Sequence, residues 1–256
     1  MLKVATWNVN SIGIRLERLL SFLERVAPDV VCLQELKCQE EKFPFEAIRA
    51  AGYFATVYGQ KTYNGVAVLS KKEPEAVSRG FGDGVADEQA RFVAARIDGT
   101  TVMSAYVPNG QAVGSDKYFY KLNWLARLRR YLDREYSASD SLVLAGDFNV
   151  APADADVHDA SVWRDSVLCS PRERQALFQV ESFGFTDAWR HLYPDETAFT
   201  WWDYRMLAFQ KNQGMRIDLI YVTAPLAAAL TECRVEREER KGEKPSDHAP
   251  VLAAWR

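Results

Sequence analysis

Leu142-Val143-Leu144-Ala145-Gly146-Asp147-Phe148-Asn149 is the stretch on which the reading of this 256-residue chain turns. Its leading apolar residues have strand character, and the run stops at a carboxylate. Gly146 admits the close approach of a backbone or a ligand. Asp147 and Asn149, two apart, share one face of an extended chain. A carboxylate beside an amide can hold and deprotonate a water. The same residues can also do no more than close the strand in an Asx-type turn, and this segment by itself leaves both readings open.

Polar groups gather in the same way near other strand ends. Layered α/β sheets assemble their sites there, because loops leaving the carboxyl ends of strands converge. Lys3–Trp7 leads into Asn8-Val9-Asn10, and Val30–Gln34 leads into Glu35-Leu36-Lys37. A carboxylate at the end of a buried strand needs a metal or a partner charge, and Lys37 or another surface cation is the plainer partner. Lys244-Pro245-Ser246-Asp247-His248-Ala249-Pro250 precedes the last strand in a loop fixed by its prolines. Asp247 and His248 are adjacent and cannot readily bond each other, so each requires a partner elsewhere. Asp218, inside the apolar run Ile217–Thr223 and without a local partner, is the natural orienter of His248. A carboxylate on one ring nitrogen raises the imidazole pKa, and the resulting cation suits a phosphate. Asn8, Glu35, Asp147, Asn149, Asp218, Asp247 and His248 together supply hard oxygen ligands and one imidazole, a set for Mg²⁺ or Mn²⁺ rather than zinc. Such an ion near phosphate-binding side chains points to phosphoryl chemistry. His158 and His191 read as structural.

Strand-like runs rich in Val, Ile, Leu and Ala occur at Lys3–Trp7, Val30–Gln34, Gly65–Ser70, Phe92–Ile97, Thr101–Tyr106, Ser141–Ala145, Ile217–Thr223 and Val251–Trp255. Helical spacing covers Arg15–Val26, with Leu16, Leu19, Leu20 and Leu23 on one face and Pro28 ending it. It recurs over Tyr118–Tyr136 through Leu122, Leu125, Leu128 and Leu132, and over Pro171–Ser182, with proline in the first turn and Gly184 past the end. The order β-α-β-α-β-β-β-β-α-β-α, then strands, is that of a layered α/β domain mixing crossovers and hairpins. No Pro/Gly/Ser-rich linker divides it, so a single domain over residues 1–256 is expected. The charge-dense run Glu236–Lys244 reads as a solvated strand and turn.

Hydrophobic residues make up 48% of the chain, enough for a core without staples. The cysteines, Cys32, Cys38, Cys169 and Cys233, match no zinc spacing and are expected as free thiols. The N-terminal stretch is too short and polar for a signal peptide, and no apolar run reaches the ~18–20 residues of a membrane span. A cytoplasmic protein follows, nucleoid-associated if bacterial. The formal net charge of −3 decides little, since a metal-binding acid cluster masks phosphate-binding cations elsewhere.

At this point the chain resembles the exonuclease III family of apurinic/apyrimidinic (AP) endonucleases, within the wider endonuclease/exonuclease/phosphatase superfamily. The wider features are Glu35 at the end of the second strand, Gly146-Asp147-Phe148-Asn149 and Ser246-Asp247-His248. The narrower ones are Trp7-Asn8-Val9-Asn10, Gln34-Glu35-Leu36-Lys37, Tyr63-Asn64-Gly65-Val66-Ala67, Tyr106-Val107-Pro108-Asn109-Gly110, Phe199–Arg205, Gly214–Asp218 and Pro245–Pro250, in family order along essentially the whole chain. Leu36 stands where the family usually has Thr.

The resemblance implies an α/β fold, a four-layer αββα sandwich with two facing mixed β-sheets. It implies Mg²⁺, with Mn²⁺ as a substitute, held chiefly by Glu35 with Asn10 and Asp247 near it. Asp147 is then the residue that activates water and Asn149 the one that orients it. His248, braced by Asp218, grips the phosphate with Asn8, Tyr106 and Asn109. Arg91 matches a phosphate contact, and Lys37 lies beside the metal. Trp201 and Trp202 wall the pocket for a flipped abasic sugar, although the same aromatic run can be a core strand. Arg205, like Lys61, Lys117 and Lys211, is either a DNA backbone contact or solvated surface. The implied substrate is double-stranded DNA with abasic sites or blocked 3′ ends, cut 5′ to the lesion and trimmed 3′→5′ by a monomer that needs no membrane. A superfamily hydrolase of phosphoinositides or sphingolipids would share the acids without Val107–Gly110 or Trp201–Arg205. A non-catalytic DNA binder on this fold would lack some of the carboxylates.

Overall fold

The computed structural model describes residues 2–256. Its first half comprises β1 (Leu2–Asn8), α1 (Ile12–Val26), β2 (Val30–Gln34), α2 (Phe45–Ala50), β3 (Phe54–Tyr58), β4 (Val66–Ser70), β5 (Ala76–Arg79), β6 (Phe92–Ile97) and β7 (Thr100–Tyr106). There follow α3 (Asp116–Glu135), β8 (Leu142–Asp147), α4 (Ala160–Trp163), α5 (Pro171–Glu181), β9 (Phe185–Asp187), α6 (Ala188–Leu192), β10 (Asp218–Thr223), α7 (Ala224–Ala227), β11 (Leu230–Val235) and β12 (Val251–Trp255).

Among the described residues the strands form two six-stranded sheets, ordered β11-β12-β1-β2-β4-β3 and β5-β6-β7-β8-β10-β9. Each contains one parallel pair, β1 with β2 and β7 with β8, and is otherwise antiparallel. Each parallel pair is joined through a long helix, α1 or α3, because a parallel connection must cross back over the sheet. The two sheets therefore share one topology, strand for strand.

Strand periodicity builds the layers. Val4, Val30, Cys32, Val66 and Val68 of the first sheet meet Val93, Val102, Val143, Ala145, Ile220 and Val222 of the second in a shared core. Residues between them face outward. Ala5, Trp7, Val31, Leu33 and Leu252 pack on Leu19, Phe22 and Leu23 of α1. Met103, Leu142, Leu144, Leu219 and Tyr221 pack on Trp124, Leu125, Leu128 and Leu132 of α3 and on Leu177 and Val180 of α5. The result is the expected αββα sandwich, with small and β-branched side chains between the sheets and larger ones under the helices. Each fully buried Val, Leu or Phe contributes roughly 1.5–3 kcal/mol, so the layers need no covalent staple. All four cysteines are free.

Four strands lie outside the runs read from the sequence: β3, β5, β9 and β11. These are the edges of the two sheets. An edge strand is solvated along one side, so it can be short and charged, as in Glu232 and Arg234 of β11, and loses the apolar signature of a central strand. The helix placed between the second strand and Gly65–Ser70 is α2, whereas the short helices α4, α6 and α7 have too few turns to show a period. The run Glu236–Lys244 is mostly exposed, as expected, with one exception. It holds a 3-10 turn, Arg237–Arg240, in which Arg240 is buried and donates to the carbonyls of Ser246 and Trp202. No helix among the described residues is long and apolar enough to cross a membrane.

Candidate active site

Alternation carries polar groups onto the inter-sheet face at one end of the sandwich. Val143 and Ala145 point into the inter-sheet core, and Asp147 is the next residue of that series. Val102 precedes Tyr106 in the same way, Val4 precedes Asn8, and Ile220 and Val222 follow Asp218. Strand register then brings them level, since Asp147 lies opposite both Tyr106 and Asp218. Gly146 is required for this. A Cβ at that position would fall 1.8 Å from the Ala105 carbonyl oxygen, so the close approach it permits is to backbone.

Asn8 sits at the centre, its amide 2.9 Å from both Glu35 Oε1 and Asp147 Oδ2. Asn149 closes over Asp147, donating from its backbone N–H to Oδ1 at 2.9 Å and from its amide to Oδ2 at 3.2 Å. Asn109 donates to Asn149 Oδ1 at 3.1 Å. On the other side Lys37 lies 2.9 Å from Glu35 Oε2 and 2.5 Å from Asn10 Oδ1, and the Asn10 amide donates to Asp247 Oδ1 at 2.9 Å. Trp201 Nε1 donates to Asp247 Oδ2 at 3.0 Å. Asn10, Glu35, Lys37 and Asn149 all have positive φ. Such backbone is uncommon outside glycine and is held by surrounding structure.

His248 Nδ1–H donates to Asp218 Oδ2 at 2.9 Å, which leaves Nε2 facing Asp147 Oδ2 at 3.8 Å. Thr200 Oγ fixes Asp218 by accepting from its backbone N–H at 3.0 Å. Burial alone would lower the His248 pKa, but Asp218 and Asp147 outweigh it and lift the imidazolium to about 10. Burial pushes Asp147 up to about 7, with Asp218 and Glu35 adding to the rise and His248 and the Asn8 amide opposing it. These groups titrate as a coupled set. Burial would raise Glu35 too, yet bonds from Asn8 and Lys37 keep it below its ordinary value. Asp247 is likewise held low against burial by His248, Trp201 and Asn10. The Tyr106 hydroxyl is held well above its usual range by burial and by Glu35.

Ligand atoms of Glu35, Asp147 and His248 all lie within 4.8 Å of one another. A histidine held protonated offers no lone pair, so the donors available to a cation here are carboxylate and amide oxygens. That donor set fits a hard divalent ion, with Asn10 and Asp247 linked to it through Lys37.

Of the expected DNA contacts, Trp202 turns into the core and Arg205 lies on the exposed surface. Trp202 is buried at 1% exposure, packs edge-on against Phe209 and donates to Asn212, so it is core and not a pocket wall. Arg205 is 84% exposed and forks onto Asp203. Arg91 is drawn to Tyr106, its guanidinium 4.6 Å from the ring centroid and 3.2 Å from the carbonyl. Trp201 borders Met215 and Ile217 in a small apolar cluster beside the acids.

Several bracing residues escaped sequence reading. Ser246 Oγ donates to the Asn8 carbonyl at 2.7 Å, and Trp7 Nε1 donates to the His248 carbonyl at 3.2 Å. Arg15 donates to the carbonyls of Asn10 and Pro245, each at 2.9 Å, and so ties the first site loop to the last. Arg15 left a readable sign. It is a cation in the first turn of α1, where no acid balances the helix dipole.

A model of the endonuclease/exonuclease/phosphatase family matches residues 5–248. Exodeoxyribonuclease III of Haemophilus influenzae is 34% identical over 267 residues, covering 100% of each chain. Among solved structures, the 3′ phosphatase NExo from Neisseria bound to a product DNA hairpin superposes with a TM-score of 0.96 at 41% identity, covering 100% of both chains. An AP endonuclease from Archaeoglobus fulgidus superposes with a TM-score of 0.96 at 39% identity over 100% of this chain and 99% of that one.

Proposed function

The chain belongs to the exonuclease III-like AP endonucleases of the endonuclease/exonuclease/phosphatase family, and from that premise we propose that it is an Mg²⁺-dependent DNA-repair phosphodiesterase. Its substrate is double-stranded DNA, cut 5′ to abasic sites and trimmed at 3′ ends as an exonuclease and 3′-phosphatase. The 1–256 chain acts as one domain and as a monomer in the cytoplasm. One observation carries this reading: acids and amides from β1, β2, β8, β10 and the loop before β12 meet around a charged imidazole at one end of the sandwich.

In this reading the scissile phosphate lies against the His248 imidazolium, with Asn8, Tyr106 and Asn109 as further donors. His248 stays charged because Asp218 holds its other nitrogen. Asp147 takes a proton from a water that Asn149 aims at phosphorus; as the P–O3′ bond breaks, the leaving O3′ takes a proton from solvent, and a 3′-hydroxyl and a 5′-phosphate are left. When bound at Glu35, Asn10 and Asp247, Mg²⁺ supplies neutralisation of the phosphate and of the charge that develops on its oxygens, and Mn²⁺ serves the same end. Lys37 balances Glu35 beside that position. Trp201, partly exposed over the buried Met215 and Ile217, offers an apolar face to a sugar that has no base, and a nucleotide already without stacking is cheapest to flip.

The test is cleavage with Mg²⁺ or EDTA of three labelled duplexes: one with an abasic site, one with a recessed 3′-hydroxyl and one with a 3′-phosphate. Mg²⁺-dependent incision at the abasic site is expected. Failure to cut any of them, or preference for an inositol phosphate, ends this reading. The relative rates give the balance among the activities, and the likeness to a 3′ phosphatase makes the third duplex informative.

A further inference from the structure

Lys121 is a lysine where the helix pattern calls for an apolar residue. It lies on α3 in the buried series Tyr118, Lys121, Leu125, Leu128 and Leu132, and its side chain has 0% exposure. Its partner Glu173, on α5, also has 0% exposure. Glu173 is fully engaged, accepting from the backbone of Leu168 and Ser170 and from the Ser170 hydroxyl as well as from Lys121.

An ion pair is a poor staple for two helices, since apolar residues of the same size do as well or better. The remaining two protons of the ammonium explain its presence. One goes to the Asn149 carbonyl at 2.6 Å and the other to the Asn109 carbonyl at 3.1 Å. These carbonyls belong to the two residues whose side chains meet above Asp147. Asn149 has φ of 49° and Gly110 has φ of 93°, so both loops have left regular structure. A Cβ on Gly110 would come within 3.2 Å of Lys121 Cδ, so the stem fills the space between them.

We infer that Lys121 is a positioning residue for phosphodiester cleavage: its ammonium clasps the Asn109 and Asn149 carbonyls and sets the spacing of their amides over Asp147. This rests on the function proposed above. Glu173 supplies the counter-charge that lets a lysine stay buried there, and α3 thereby transmits the packing of the helical layer to the site.

The test compares wild type, Glu173→Gln and the double variant Lys121→Met/Glu173→Gln on an abasic duplex with Mg²⁺, under single and multiple turnover and well below each melting temperature. The double variant removes both charges at near-constant volume. Its kcat is expected to fall about ten- to hundredfold with KM within threefold. Glu173→Gln leaves Lys121 in place, and even as a neutral amine it has two N–H donors for the two carbonyls; this variant is expected to melt earlier but to keep kcat within threefold. Asn109→Ala is expected to cost at least threefold less in the double variant than in wild type, because the amide it removes is already misplaced. If the double variant is unfolded at the assay temperature, Lys121→Gln/Glu173→Gln takes its place under the same criteria. Wild-type kcat in the folded double variant, or an equal loss in Glu173→Gln, overturns the inference while leaving the nuclease reading intact. Failure of wild type to cut sinks the nuclease reading and this inference with it.

Discussion

Asp147 shows how one residue trades stability for chemistry. Its folded pKa is raised, so the protonated form is favoured by folding. The sign follows: this contribution is complete below the ordinary carboxylate value and is lost as pH rises through about 7. Asp147→Asn is expected to abolish abasic-site cleavage, leave DNA binding in place and raise the melting temperature in EDTA by roughly 2–6 °C, for about 1–2 kcal/mol. Residual cutting at the wild-type rate would remove Asp147 from its role as base. His248 carries the opposite charge and also has a raised pKa, so its stabilisation is complete below its ordinary value of 6.5 and fades as pH approaches about 10. A bell-shaped pH profile of kcat/KM follows, with its alkaline limb set by His248. Asp218→Asn removes the leading charge that raises this imidazole and is expected to move that limb to lower pH. An unmoved limb would show that another group sets it.

At the scale of elements, the end of β8 is fixed by backbone and not by side-chain packing. Gly146 accepts the neighbouring strand β7 so closely that any side chain collides with a carbonyl. Gly146→Ala is therefore expected to cost more than 4 kcal/mol or to prevent folding, with the chemical-denaturation midpoint as the measurement. A loss under 1 kcal/mol would mean that β7 and β8 can part locally. The loop before β12 carries three polar residues of the site and is anchored in the core at Ala249. Arg15, Arg240 and Trp7 hold its carbonyls from outside, and its own Ser246 reaches out to the Asn8 carbonyl. The same division appears across the sheets. Central strands were legible as apolar runs, and all four edges were not, because an edge is specified by what lies beside it.

For the whole molecule, the site is a junction of two similar sheets, and no single element contains it. Glu35 just after β2 and Asp147 at the end of β8 lie at the ends of corresponding parallel strands of the two sheets, and Asn8 bridges them. Crowding acids there costs folding energy, which a divalent ion offsets by binding only the folded state. Adding Mg²⁺ is expected to raise the melting temperature, by about 2.7 kcal/mol in stability at 100 times its Kd, and EDTA to reverse it. Asp147→Asn should reduce this metal-dependent gain, measured by calorimetry. A wild-type protein indifferent to Mg²⁺ would argue against a metal among these acids.

The sequence alone was enough to determine the α/β class, the central strands, the long helices and the identity of the acids, amides and histidine. Those follow from local quantities: side-chain alternation with period two, helical spacing, glycine and proline, and polar groups at the ends of apolar runs. The pairing of His248 with Asp218 was also legible, because each lacked a partner nearby and burial demands one. Only the tertiary structure could decide which groups touch. It put Trp202 into the core and left Arg205 in solvent, although both lie in one aromatic stretch with Trp201. It drew Arg15, Lys121 and Arg240 inward to the carbonyls of Pro245, Asn149 and Trp202, which come from distant loops. The physical reason is that a buried cation is specified by acceptors brought to it from far along the chain, and those distances exist only once the two sheets have packed.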